Sequence, residues 1–252
     1  MKINKWIIAC LLIWICAAPM HAERYKIEIG QFEKLKITGN ISVVYKNLPD
    51  STGMAFYNAP AGNNDIFDIS LKKNGVLKIQ PSDAKWGNND LPVIYLYSDY
   101  LSSVESFSEK TVELSNLAPC SSLNITLVGN GSIYADQIKA TSVSASISTG
   151  NGSIYLSGSC DNAHFRMVGT GLISADQLIS ENVSCSILGT GSIGCRPIDN
   201  LKVTGLGSTK IYYKGSPNIV KKGGGKLFQL PEETVPQKGA EVRSFNLEGE
   251  DE

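Results

Sequence analysis

The sequence predicts an all-β protein, a parallel β-helix-like solenoid of about 20-residue rungs preceded by a less regular β-strand part that acts as its cap. The first observation is a glycine phrase that returns five times between Val128 and Gly215: VGNGSIY, STGNGSIY, VGTGLIS, LGTGSIG and GLGSTKIYY. Its second glycine is Gly131, Gly152, Gly171, Gly191 and Gly207, at spacings of 21, 19, 20 and 16 residues. The second observation is that alternating apolar residues upstream of each phrase superimpose at this period. Leu123, Val143, Ala163 and Val183 form one column; Ile125, Ala145, Phe165 and Cys185 a second; Leu127, Ile147, Met167 and Ile187 a third. The third is a column after the glycines, Ile133, Ile154, Ile173 and Ile193, followed two residues on by Ala135, Leu156, Ala175 and Cys195. Alternation at period two is strand periodicity, and no helical repeat gives it. A leucine-rich repeat is the nearest rival, but its asparagine and leucine signature is missing. Rungs of this kind stack about 4.8 Å apart. One rung orders some twenty residues at roughly 1.5 kcal/mol each and buries only a handful of apolar side chains, so it needs neighbours on both edges and caps at the ends of the array.

In chain order, residues 1–22 have the make-up of a secretory signal peptide. Lys2 and Lys5 form a basic start, Trp6 to Ala18 an apolar run, and Ala22 a small residue at the expected cut. The run is short of the roughly twenty residues that span a bilayer. Neither Cys10 nor Cys16 has a lipoprotein context, so a soluble exported chain beginning near Glu23 is expected. Removing Lys2 and Lys5 lowers the basic count from 23 to 21 against 24 acidic residues, moving the formal net charge from −1 to −3. That balance argues against nucleic acid as a partner.

Residues 23–118 form the N-terminal β-strand region. Alternation runs through YKIEI, LKI, ISVVY and IFDISL, and Asn74-Gly75 between ISL and VLKI is a two-residue hairpin signal. Asp83 to Asp90 reads as a polar loop. Residues 119–230 are the glycine-phrase solenoid, with Leu227 to Leu230 a candidate last strand. Residues 231–252 hold seven acidic and two basic side chains, the composition of a flexible acidic tail.

The succession of an export signal, FEKLKITGNISVVY, GVLKI, LYSDYLSSVES, repeated GNGSI and GTGSI phrases and finally YYKGSPNI resembles the putative auto-transporter adhesin head GIN domain family of Bacteroidetes. The resemblance covers about Phe32 to Leu230. It implies an all-β, β-helix-like fold and an adhesin-like role, and it carries no catalytic or binding residue to this chain. No set of strands long enough for a membrane barrel is present, so the chain is not a self-sufficient auto-transporter.

Chemical signals are sparse. With His21 inside the signal, His164 stands alone, so neither a triad nor a metal site has its partners, and an exposed surface place is expected for it. The phrases GNGS and GTGS lack the lysine and helix of a phosphate loop, and their glycines read as corners needing positive φ. Asp136 and Asp176 share a phase in ADQI and ADQL, two rungs apart or about 9.6 Å at the backbone, with Ser157 between them. That is near the upper limit of an inverting glycosidase pair, but no basic residue is evident at a neighbouring phase. Of the four mature cysteines, Cys120 and Cys160 are two rungs apart, too far for a bridge, while Cys185 and Cys195 sit in apolar columns as buried thiols. No cofactor, catalytic residue or metal site is expected.

The reading that follows is an exported, non-enzymatic, adhesin-like binding module of the cell envelope, periplasmic or on the surface, whose partner is a surface glycan or protein. A carbohydrate-active β-helix enzyme, lyase or glycosidase, and a structural envelope protein are the alternatives. An enzyme requires a groove lined by several acidic and basic side chains, whereas a binding module presents a long, flat, uncharged face. The exposed ladder at the middle of the phrases, Asn130, Asn151, Thr170 and Thr190, is the stripe singled out for a ligand, against the plainer role of a structural hydrogen-bonded ladder.

Overall fold

The protein is seen in a computed structural model that describes residues 22–62, 65–82 and 91–231. The expected export segment up to His21, the polar run 83–90 and the acidic tail after Pro231 lie outside the described residues.

The chain folds as the expected β-solenoid, with rungs roughly 20 residues apart. Four long strands, Ser132–Thr149, Ser153–Met167, Leu172–Ile187 and Ser192–Gly205, each turn a corner, so that one half of a strand lies on one face and the other half on the next. They pair in parallel, each residue over its equivalent one rung away: Ile133 on Ile154, Ile154 on Ile173 and Ile173 on Ile193. The reason is packing. A half-buried strand with β-branched residues at every second position seals its core only when the next rung repeats both period and phase.

The columns run further than the glycine phrases do. On one face Leu77, Leu35, Val104, Ile125, Ala145, Phe165, Cys185 and Val203 are stacked in register. On the other, Ile94, Val43, Val112, Ile133, Ile154, Ile173, Ile193 and Ile211 are stacked likewise, and each of these eight is 0% exposed. The N-terminal region expected as a cap therefore divides in two. The pairs Lys34–Thr38 with Val43–Lys46, Val76–Pro81 with Ile94–Tyr97, and Ser103–Phe107 with Thr111–Ser115 are further rungs. Only the antiparallel strands cap. Phe67–Leu71 closes onto Val76–Pro81 through the expected hairpin at Gly75, Met54–Pro60 pairs with Ile94–Tyr97, and Ala22–Glu28 covers Met54–Pro60.

The stacking order departs from chain order. Residues 34–46 lie between the rung of 76–97 and the rung of 103–115, so the first rung in the sequence is the second in the stack. From Cys120 onward the two orders agree. At the C-terminal end lie Asn218–Gly223, exposed along its whole length, and Lys226–Gln229.

The glycine corners meet the expectation in part. Gly129, Gly150 and Gly207 adopt positive φ, but Gly131, Gly152, Gly171 and Gly191 do not; at these four, what excludes a side chain is the neighbouring rung. A Cβ on Gly131 would lie 2.1 Å from the Ser108 carbonyl oxygen, and one on Gly171 or Gly191 would lie 2.1 Å from the oxygen of Gly152 or Gly171 below it. On Gly152 it would meet Leu127 Cδ2 at 2.5 Å. The phrases recur because stacked backbones need the room.

Candidate functional site

Alternation that buries one residue in two puts the others outside, and in a stack in register these form rows. The outer rows of the first face are Ser122, Ser142, Asn162, Asn182 and Asn200; Asn124, Ser144, His164, Ser184 and Lys202; and Thr126, Ser146, Arg166, Ser186 and Thr204. Neighbours bond along the rows. Asn200 Nδ2 donates to Asn182 Oδ1 at 2.8 Å, Asn182 Nδ2 to Asn162 Oδ1 at 3.3 Å, and Ser146 Oγ to Thr126 Oγ1 at 3.3 Å. His164, placed on the surface as the sequence predicts, stands with Arg166 in a terrace of serines, beside a shallow depression of about 340 Å³. This face is long, flat and mostly neutral.

The second face has a different outer column: Tyr95, Val44, Glu113, Tyr134, Tyr155, Ser174, Gly194, Tyr212 and Phe228. Tyr134 and Tyr155 stack with centroids 4.6 Å apart and planes 6° from parallel, and Tyr212 and Phe228 stack at 5.3 Å. Beside the first pair Asp136, Ser157, Ser174, Asp176 and Gln177 line a depression of about 190 Å³.

Asp136 and Asp176 thus do share a site, but the expectation of no basic neighbour fails. Lys214 Nζ donates to Asp176 Oδ2 at 3.1 Å from a side chain only 7% exposed, and Ser174 Oγ donates to Asp176 Oδ1 at 3.0 Å. Burial pushes the Asp176 carboxyl up, yet these hydrogen bonds and the Lys214 charge outweigh it and hold the group below the usual carboxylate range. Lys214 escapes period counting because it is 38 residues further along the chain. The tyrosines were within reach of sequence reasoning: Tyr134 and Tyr155 each directly follow a column isoleucine, a position that must point outward.

The ladder at the corners is exposed at Asn130, Asn151, Thr170 and Thr190. Asn130 Oδ1 accepts from the Asn151 backbone N–H at 3.0 Å, and Thr170 Oγ1 shares its one proton between Asn151 Oδ1 and the Gly150 carbonyl oxygen, each 3.4 Å away. The Asn130 and Asn151 side-chain oxygens and the Thr170 hydroxyl are thus engaged within the corner.

All four cysteines among the described residues are free. Ala140 stands between Cys120 and Cys160 in register, so those two are two rungs apart. Cys185 and Cys195 belong to facing columns and are wholly buried. The hydrogen bond with Cys195, then burial, pushes the Cys185 thiol well above its ordinary value. Among the described residues no group of three or more His, Cys, Asp or Glu could hold a metal ion.

Comparison with known proteins adds a family and a fold. Residues 31–217 match the family model described as "Putative auto-transporter adhesin, head GIN domain". Three crystal structures share the fold: a putative adhesin from Bacteroides fragilis NCTC 9343, and a putative lipid binding protein and a putative adhesin, both from Parabacteroides distasonis ATCC 8503. The first aligns at 20% identity and a TM-score of 0.74, over 83% of this chain and 97% of its own. The second aligns at 22% and 0.66, over 84% and 98%. The third aligns at 19% and 0.69, again over 84% and 98%. No curated protein matches the chain.

Proposed function

The chain belongs to the putative auto-transporter adhesin head GIN domain family, and from that premise we propose that it is an exported, non-enzymatic, adhesin-like binding module of the cell envelope. The observation that carries this reading is the first face. Its fifteen outward positions over five rungs, from Ser122 to Thr204, are serine, asparagine or threonine except for His164, Arg166 and Lys202. A rigid, flat array of small hydroxyl and amide groups offers many weak, regularly spaced hydrogen bonds, which suits the contact of a surface glycan or a protein rather than the enclosure of a reacting centre.

The alternative of a β-helix glycosidase meets a physical objection at its best candidate pair. A general acid must keep its proton at working pH, which requires a raised carboxyl pKa. Asp176 is held the other way by Lys214 and Ser174, so it could serve such a pair as the base but not as the acid. The corner ladder from Asn130 to Thr190 is a lesser candidate surface, because the acceptor oxygens of Asn130 and Asn151 are already engaged within the row. No helix of the described residues is long and apolar enough to cross a membrane.

The test is glycan-array and protein-ligand binding by the mature protein, with mass spectrometry of the native chain to locate its first residue. Saturable binding without product, by a chain starting near Glu23, is expected. Release of reducing or unsaturated sugars from a bound polysaccharide would replace this reading by the enzymatic one, and a chain keeping residues 1–22 would remove export.

A further inference from the structure

The outer column of the second face is an aromatic ladder with two steps missing. Tyr134 and Tyr155 stack on one side, Tyr212 and Phe228 on the other, and the rungs between carry Ser174 and Gly194. Packing does not demand the gap. At Gly171 and Gly191 a Cβ would lie 2.1 Å from a backbone oxygen, whereas at Gly194 the nearest atoms, Asp176 Cβ and Oδ1, are 3.7 Å away. The backbone of Gly194 is not left-handed either. Glycine weakens a strand interior and here is forced by nothing in the fold. Its effect is to keep a slot open.

Rings stacked at the rung spacing turn their faces along the solenoid axis. The free face of Tyr155 therefore looks over Ser174, and that of Tyr212 back over Gly194. Three rung steps of about 4.8 Å separate the two rings by about 14 Å, room for two further ring layers. The Tyr155 side is the one with polar walls: Ser174, Asp176 and Gln177. Asp176 is fixed in place and electrically balanced by Lys214; Lys214, Ser174 and Gln177 Nε2 already donate to it, so its carboxylate keeps at most one of its roughly four acceptor sites for a further donor, and Gln177 Oε1 adds an acceptor beside it.

We propose that this slot is a saccharide subsite, in which one pyranose ring of a neutral glycan lies on the free face of Tyr155 above Ser174 and its hydroxyls bond Asp176 and Gln177. A pyranose has an apolar C–H face that fits an aromatic ring and a rim of hydroxyls that fits carboxylate and amide groups. A purely aromatic ligand leaves those polar groups unused. A cation finds Asp176 already neutralised. This inference rests on the binding-module reading above and names a place and a ligand class for it.

The experiment uses the full chain with Gly194→Tyr, which fills the slot, Tyr155→Ala, which removes its wall, and His164→Ala, on the other face, as control. The probes are methyl β-D-galactopyranoside, methyl β-D-glucopyranoside and methyl α-D-mannopyranoside at millimolar concentration, read by saturation-transfer NMR, with circular dichroism to verify that each variant is folded. At least one probe binds the parent and His164→Ala alike and binds both slot variants about tenfold more weakly, the loss expected for one aromatic stacking contact. Equal binding by parent and slot variants, or no signal from any of the three probes, overturns the subsite. Glycan-array binding that survives both slot variants removes the subsite and leaves the binding-module reading standing on the serine-rich face.

Discussion

Replacing Gly171 by alanine asks the rungs to part. The added Cβ would lie 2.1 Å from the Gly152 oxygen and 3.0 Å from Ile147 Cδ1, whereas a comfortable carbon-to-oxygen contact is about 3.3 Å. That oxygen is held in place, because it accepts the Leu172 N–H at 3.0 Å. Opening the gap by about 1.2 Å strains the packing by about 1–3 kcal/mol, and losing the rung-to-rung hydrogen bond adds about 0.5–1.5 kcal/mol. Together the substitution costs about 2–4 kcal/mol, a large share of the 5–15 kcal/mol that typically holds a domain folded. Gly194→Ala is the matched control. Its Cβ meets nothing nearer than 3.7 Å, so removing glycine's freedom from the unfolded chain leaves stability unchanged or up to about 1 kcal/mol higher. Urea melts followed by far-ultraviolet circular dichroism separate the two, with a midpoint about 1–2 M lower for Gly171→Ala at an ordinary m-value. Coincident melts for the two variants would refute the claim that close approach, rather than the corner itself, selects these glycines.

Ile173→Asp places an unpaired carboxylate in a column that is 0% exposed, costs several kcal/mol and abolishes the cooperative melt, while Thr170→Ser on the exposed corner of the same rung changes stability by under about half a kcal/mol. Because Asp176 titrates lower in the folded chain, its contribution is fully present above the unfolded carboxyl pKa, about 3.9, and is lost as pH falls through the folded value. Lys214→Met leaves that carboxylate half-buried without its cation, so the variant is about 1–3 kcal/mol less stable at neutral pH, and its deficit shrinks in denaturant melts below about pH 4. Cys185 behaves in the opposite sense: its thiol titrates higher when folded, so its contribution is present below the unfolded value near 8.5 and is lost as pH rises through the folded one. Melts at pH 7 and pH 10 therefore show lower stability at the alkaline end, and a thiol reagent labels Cys185 only after unfolding.

The solenoid was legible from Cys120 to Tyr213 because its side chains repeat with one period and alternate with another, and both periods are consequences of one stacking rule. Ile133, Ile154, Ile173 and Ile193 had no other arrangement in which all could be buried. The same rule applies to Leu35, Val43, Val104 and Val112, but hairpin strands are inserted between those rungs, and an insertion destroys a period without disturbing a column. The glycines were legible only in part for a related reason: Gly129, Gly150 and Gly207 take the expected positive φ, whereas Gly131, Gly152, Gly171 and Gly191 do not. Glycine serves a left-handed corner and a close approach equally well, and only the neighbouring rung, at Gly152 beneath Gly171, tells which. At the candidate site the two aspartates share a visible phase, but their cation did not, since bulges between Ala175 and Ile179 and between Ser180 and Asn182 offset the count before Lys214 is reached.

The shuffled stacking at the N-terminal end sets a direction on folding. Lys36 meets Glu105 across 69 residues of chain, whereas Thr126 meets Ser146 across 20. Closing the longer loop costs about 1 kcal/mol more, from the logarithmic dependence on loop length. The residues made first also have neither neighbour available: 34–46 need 76–97 on one edge and 103–115 on the other. From Cys120 on, each new rung finds its template already in place. Pulse-labelled hydrogen exchange during refolding should accordingly protect amides of 123–187 before those of 34–46, with the reverse order ruling this out. The nucleus forms in the later-made part of the chain, and order spreads back toward the end that was synthesised first.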